Sequence, residues 1–155
     1  MALGPQAKPA VPALIPLISG KGQHDHFRAV FALRWIGPAA TAALPEMIEC
    51  LKDPDESTRA EAVLSVGEIH QEPDRVVPIL MGFLNEYEAD QTHWSKHWNA
   101  CYRAMQSRGD FGAQAKPAIP ILIRLLNDQR PFIRAEATNS LKSIDPDAAA
   151  NAGPK

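Results

Sequence analysis

The sequence predicts an all-α chain, a right-handed α–α superhelix (a solenoid) of about four helical pairs. Three observations carry this reading. Leu3–Ile18, LGPQAKPAVPALIPLI, returns as Phe111–Leu126, FGAQAKPAIPILIRLL, with ten of sixteen positions identical. Pro12, Pro45, Pro78 and Pro120 each follow an apolar residue and open an apolar run, at spacings of 33, 33 and 42. Small residues recur in step with them, at Ala29, Ala62, Ala104 and Ala137 and again at Ala32, Ser65, Ser107 and Ser140. A period in this range marks a repeat array, in which one supersecondary unit buries its apolar face only on the next.

Each repeat reads as a helix A followed by a helix B. The chain opens with a lone B helix over about 7–19, where Val11, Leu14, Ile15 and Ile18 share one face. Its Pro12 sits near the helix start, where a missing N–H costs little, whereas Pro16 lies a full turn inside and predicts a kink. A1 covers about 23–36, with Asp25 of His24-Asp25-His26 near the positive end of the helix dipole. B1 covers about 40–52 and repeats the stripe as Leu44, Met47, Ile48 and Leu51. The turn Asp53-Pro54-Asp55-Glu56-Ser57 leads to A2, about 56–70, and B2 follows over about 74–85. A3 covers about 91–107 and is irregular, because Arg108 replaces the apolar residue of its row. B3, about 114–127, carries Ile119, Leu122, Ile123 and Leu126, and A4 spans about 130–143 after a turn at Asn127–Pro131. The chain thus reads as one repeat domain over 1–144 with a frayed Ala, Asn and Gly rich tail at 145–155. The lone first helix lacks its own A partner. It is expected to continue a longer array, to pack on a second copy, or to fold onto A1 and B1.

Two A helices open on Arg-Ala-Glu-Ala, at Arg59–Ala62 and Arg134–Ala137, each after an Asp-containing turn. With the proline-led B helices, this combination resembles the HEAT-repeat family, in particular its bacterial PBS-lyase-like HEAT subfamily. The resemblance implies a HEAT-like solenoid in which Asp53 with Arg59, and Asp128 with Arg134, stitch neighbouring units through the loops. His26 and Cys101 stand at the Arg position of the other units, and Gly20 and Glu86 at the Asp position, so the stitch is not expected there.

Bulk composition narrows the function. The 45% hydrophobic content supplies a core, and with only 6% aromatic residues that core is made of Ala, Leu, Ile and Val. A net charge of −2 from 16 basic and 18 acidic residues argues against general nucleic-acid binding, which needs clustered cations. No apolar run reaches the eighteen or so residues of a membrane span, and prolines 9, 12 and 16 interrupt any signal-like segment, so a cytoplasmic setting is the default expectation. Cys50 and Cys101 read as buried thiols in a reducing compartment.

No Gly-rich phosphate loop, nucleophile elbow or His-Glu-x-x-His is present, so no catalytic residue and no cofactor is expected. His93 and His97, one turn apart in the inserted segment 85–97, offer at most half of a metal site. A polar flank beside a Trp94, Trp98, Cys101, Tyr102 and Met105 core stripe is the simpler reading of them. In HEAT arrays the B helices line the concave face. There Ile79 and Ile121 are apolar where solvent is expected; with Phe83 they form a candidate patch rimmed by Glu46, Glu49 and Arg124, suited to a peptide or helix. The expected function is therefore protein–protein binding or scaffolding through this face, without catalysis. Self-association through helix 7–19 is a second possibility. The alternatives are a lyase-like or chaperone-lyase role on a tetrapyrrole-bearing protein, implied by the subfamily alone, and a HEAT-like DNA-repair role. Only Lys52 and Arg124 being basic on the face disfavours the last.

Overall fold

The computed structural model describes residues 4–19, 23–69, 71–91, 94–106 and 109–152. These residues are helical with no strand among them, and they pack as helix pairs, as the repeat predicts. The helices gather into two compact units, residues 1–71 and 72–155.

In the first unit a 3₁₀ stretch, Pro5–Ala10, leads into α1 (Val11–Ser19), followed by α2 (Gln23–Ile36), α3 (Leu44–Glu49) and α4 (Glu56–Glu68). A second 3₁₀ stretch, Gly37–Ala43, feeds α3, and Cys50–Lys52 closes it. Helix α2 packs between α1 and α4, and their core of Val30, Leu33, Leu44, Met47, Val63 and Val66 is fully buried. The lone first helix is thus part of this unit: α1 packs on α2 and α3 with Val11 and Ile18 buried, and Pro16 lies inside it. The Gly4 N–H donates to the Trp35 carbonyl at 3.2 Å, tying the start of the chain to the end of α2.

In the second unit α5 (Pro73–Ala89) packs on α6 (Trp94–Gln106) and α7 (Ile119–Leu125); α8 (Pro131–Ile144) packs on α6, α7 and α9 (Pro146–Asn151). A 3₁₀ stretch, Gly109–Ala118, precedes α7. Tyr87, Met105, Leu122, Ile133 and Leu141 form the core, beside a small apolar cavity of about 40 Å³ lined by Leu80, Met81, Met105, Phe111, Leu122 and Ile144 among others.

Four local expectations are corrected. The tail from Asp145 is not frayed throughout: Asp145 caps α9, its carboxylate accepting the Ala148 N–H at 3.0 Å, with Pro146 at the first helical position. Pro78 does not open its helix. Pro73 does so, and Pro78 lies inside α5. Helix α5 runs on to Ala89, past the predicted end of B2 at about residue 85. Lastly, the predicted B-helix stripe is only partly the buried face: Val11, Ile18, Leu44, Met47 and Leu122 are buried as predicted, but Ala43, Cys50, Ala118 and Leu125 are buried beside them while Ile123 is exposed. The prolines favour 3₁₀ turns, whose three residues per turn rotate the apolar row away from an α-helical projection.

Candidate functional site

The B-to-A turns are built alike in the two units. Asp53 Oδ1 accepts the Asp55 N–H at 2.8 Å, and Asp128 Oδ1 accepts the Arg130 N–H at 2.8 Å, so each carboxylate folds its own turn. Arg59 and Arg134 do not pair with these carboxylates. They donate to backbone carbonyls, Arg59 to Asp53 at 2.6 Å and Pro54 at 3.0 Å, Arg134 to Asp128 at 2.8 Å and Gln129 at 3.1 Å. This corrects the Asp–Arg pairing that the resemblance implied. The guanidinium serves the orphan carbonyls left at a helix end.

The second carboxylate oxygen makes the stitch to earlier elements. Asp53 Oδ2 pairs with His26 Nδ1 of α2 at 2.7 Å, at the position where no stitch was expected. Asp128 Oδ2 accepts from the Tyr87 hydroxyl of α5 at 3.0 Å and from Arg130 at 3.2 Å, and Arg130 also donates to the Tyr87 hydroxyl and to Gln91 at 2.8 Å. Burial holds the Tyr87 phenol protonated, raising its pKa well above the ordinary value.

In the first unit a cleft of about 270 Å³ opens beside this turn, lined by Ile18 and Ser19 of α1, His26 of α2, and Glu46, Glu49, Cys50 and Asp53. Glu46 is half-buried, and its Oε2 is fully buried without a hydrogen-bond partner. Glu49 is exposed and takes Lys52 at 3.0 Å. Burial, followed by the nearby Asp53 and Glu49 carboxylates, pushes the Cys50 thiol up to about 11, which disfavours the reactive thiolate form. The corresponding cleft of the second unit, about 220 Å³, contains Glu88, Gln91, Arg124 and Asp128. Its carboxylates have cations of their own: Arg124, at the register of Glu49, holds Glu88 through Nε at 2.6 Å and Nη2 at 2.9 Å, and Arg130 holds Asp128.

The predicted patch residues divide accordingly. Glu46 and Glu49 belong to the first unit; Ile79, Phe83, Ile121 and Arg124 belong to the second. Ile79 and Phe83 are half-buried on α5 and Arg124 is exposed on α7. Ile121 is 2% exposed, so it is a core residue of its unit and not a surface contact. Its register matches Glu46, which shows how one position serves as core in one repeat and as cleft wall in another. His93 lies outside the described residues, as does the side chain of His97; among the described residues no group of three or more His, Cys, Asp or Glu could hold a metal ion.

One aromatic cluster escaped the sequence reading, and a second extends the predicted Trp98–Tyr102 stripe to Phe132. On α2, Phe27 stacks on Phe31 at 6.1 Å and Phe31 meets Trp35 edge-on at 5.9 Å, all three more than a third exposed. Arg34 lies over the Phe31 and Trp35 rings at 5.2 and 5.3 Å while donating to Glu61 at 2.6 Å. In the second unit Trp98, Tyr102 and Phe132 make a second cluster, with 5.7 Å between Trp98 and Phe132. The signal for the first was present as aromatic residues four apart, on the helix face opposite the small-residue stripe. No helix of the described residues is long and apolar enough to cross a membrane.

Comparison with known proteins agrees with this architecture. No curated protein matches the chain. A family profile for HEAT repeats matches residues 11–95, more than half of the sequence, and with the packed, proline-led helix pairs described above this establishes that the chain belongs to the HEAT-repeat family.

Proposed function

We propose that this chain is a protein-binding module, without chemistry of its own, that engages its partner along the B-helix side. In the first unit Glu46 and Glu49 form the receiving site, and the partner contributes a basic side chain. The observation that carries this reading is the Glu46 carboxylate oxygen, buried in the cleft with no hydrogen-bond partner while Asp53 is already committed to His26. A buried carboxylate oxygen left unpaired costs on the order of 1–3 kcal/mol. A lysine or arginine entering the cleft would supply the missing donor, as Arg124 supplies one to Glu88 in the second unit. There Ile79 and Phe83, with Arg124 beside them in sequence register, offer a mixed apolar and charged surface to a peptide or helix.

The test is an NMR titration of the labelled chain with a tetralysine peptide. Shifts centred on Ile18, Ser19, His26 and residues 46–53, weakened by salt and abolished in Glu46→Gln/Glu49→Gln, are the expected result. Shifts spread over all acidic residues, or unchanged in the double variant, would refute the cleft as the receiving site. Ile79→Asp is expected to leave helicity intact and weaken partner capture, whereas Ile121→Asp would break the second unit's core and is no test of binding.

A further inference from the structure

We infer that the outer face of α2 is a second docking surface, additional to the B-helix side, and that it takes an amphipathic helix with acidic residues beside its apolar row. The rings come first. Helix α2 buries Ala29, Val30, Leu33 and Ile36, and it leaves Phe27, Phe31 and Trp35 on the opposite side, 37–39% exposed. Spaced four apart, the three rings run along two turns, about 12 Å of helix, and each touches the next. The fold does not ask for them. At the same register α8 carries Ala135, Asn139 and Ser143, all exposed, which is an ordinary solvent row. Large rings left in water where a sister helix manages with small and polar residues mark a contact surface.

Charge then selects the occupant. Along one edge of the row Arg34 lies over the Phe31 and Trp35 rings while it donates to Glu61 at 2.6 Å and Glu68 at 3.4 Å, so its charge is answered within the chain and it steadies the rings. Arg28 differs. It stands three residues before Phe31 and seven before Trp35, which puts it on the same side of the helix, and it is exposed. Neither Asp25, one turn earlier, nor any other described residue forms an ion pair or hydrogen bond with it. A partner carboxylate beside the apolar row would pair with this guanidinium. A row of rings four apart matches the apolar positions of a helix packed along α2, since those recur at spacings of three and four.

The test is an NMR titration of the labelled full chain with two synthetic peptides of about sixteen residues, long enough to be helical. Both carry a leucine row at spacings of three and four on alanine; one has glutamate and the other lysine on the remaining positions. The glutamate peptide is expected to shift the amides of residues 27–35 and to bind at least about tenfold more tightly than the lysine peptide. Arg28→Glu should reverse that order. Phe27→Ala/Phe31→Asn/Trp35→Ser, which copies the α8 row, should weaken binding by about tenfold or more. Glu46→Gln/Glu49→Gln should leave it unchanged, which separates this surface from the cleft. If the triple variant lost helicity, Arg28→Glu, at an exposed position, would still decide. Equal binding of the two peptides, or shifts centred away from α2, would overturn the inference. So would a concentration-dependent dimer of the parent that the triple variant abolishes, because a second copy would then be the occupant.

Discussion

Glu72 bears a side chain in a backbone conformation that the chain elsewhere assigns to glycine. An L-residue in the left-handed region costs about 1–2 kcal/mol, and its exposed contact with Arg75 at 3.3 Å returns little of that. Glu72→Gly is accordingly expected to raise stability by about 0.5–1 kcal/mol, after the extra entropy glycine brings to the unfolded chain. Gly37→Ala should lower it by about 1 kcal/mol for the same reason with the sign reversed. A Cβ at Gly37 meets no atom within 4 Å, so that cost is one of backbone alone. Urea midpoints of the two variants check both; a Glu72→Gly protein no more stable than the parent would contradict the strain. At this scale the sequence was only partly legible. Proline and small-residue spacing placed Glu46 and Ile121 at one register, but whether that register faces core or cleft depends on a rotation of a single residue. Cys50 and Cys101 read as buried thiols and are buried, with burial as the leading cause of their raised pKa values.

Among the elements, the A helices were legible and the B helices much less so. A1 is predicted and found over 23–36, because small and apolar residues at spacings of three, four and seven leave one phase for the helix. In three of the B helices a proline-bearing 3₁₀ stretch takes the first half, where an α-helical projection fails, while α5 stays α-helical with Pro78 inside it. Helix α9 was missed although Asp145-Pro146 is a start signal, since an Ala and Asn rich tail without an apolar stripe lacks the usual reason to pack. Caps also give the acid response. The Asp55 carboxylate accepts from the Thr58 hydroxyl and N–H, both at 2.8 Å, and these bonds hold its pKa below the ordinary value; the Ala148 N–H, then Lys116, does the same for Asp145. A carboxyl with a depressed folded pKa contributes stability above its unfolded value of about 3.9 and loses it as pH falls through the lower folded one. Asp55→Ala is thus expected to cost about 1 kcal/mol at pH 7, and the gap to the parent should shrink below about pH 4. Urea unfolding at pH 7 and pH 3 measures this, and a gap that stays constant would assign the cost to something other than the charged cap.

For the whole chain, family membership and all-α class were readable from a repeated sixteen-residue stretch, because a repeat array needs little more than its period to be recognised. Its grouping into two compact units is not written in the period, which continues across residue 71. The unequal clefts belong to the same level. Repetition duplicates a scaffold, and single substitutions such as glutamate for isoleucine at positions 46 and 121 then differentiate the copies.

The apolar pocket beside Met81 and Phe111 bears on how the second unit responds to pressure. Folded chains yield to hydrostatic pressure because unfolding eliminates internal empty space, with volume decreases of roughly 20–100 mL/mol. An apolar pocket of about 40 Å³, only partly closed, gives the second unit unfilled apolar volume to surrender. Under rising pressure the amides of α7 and α8 are expected to keep their protection longer in Ala104→Val, which fills part of the pocket, than in the parent; high-pressure NMR reads the shift directly. A scaffold of this kind would yield to pressure first where its packing is loosest.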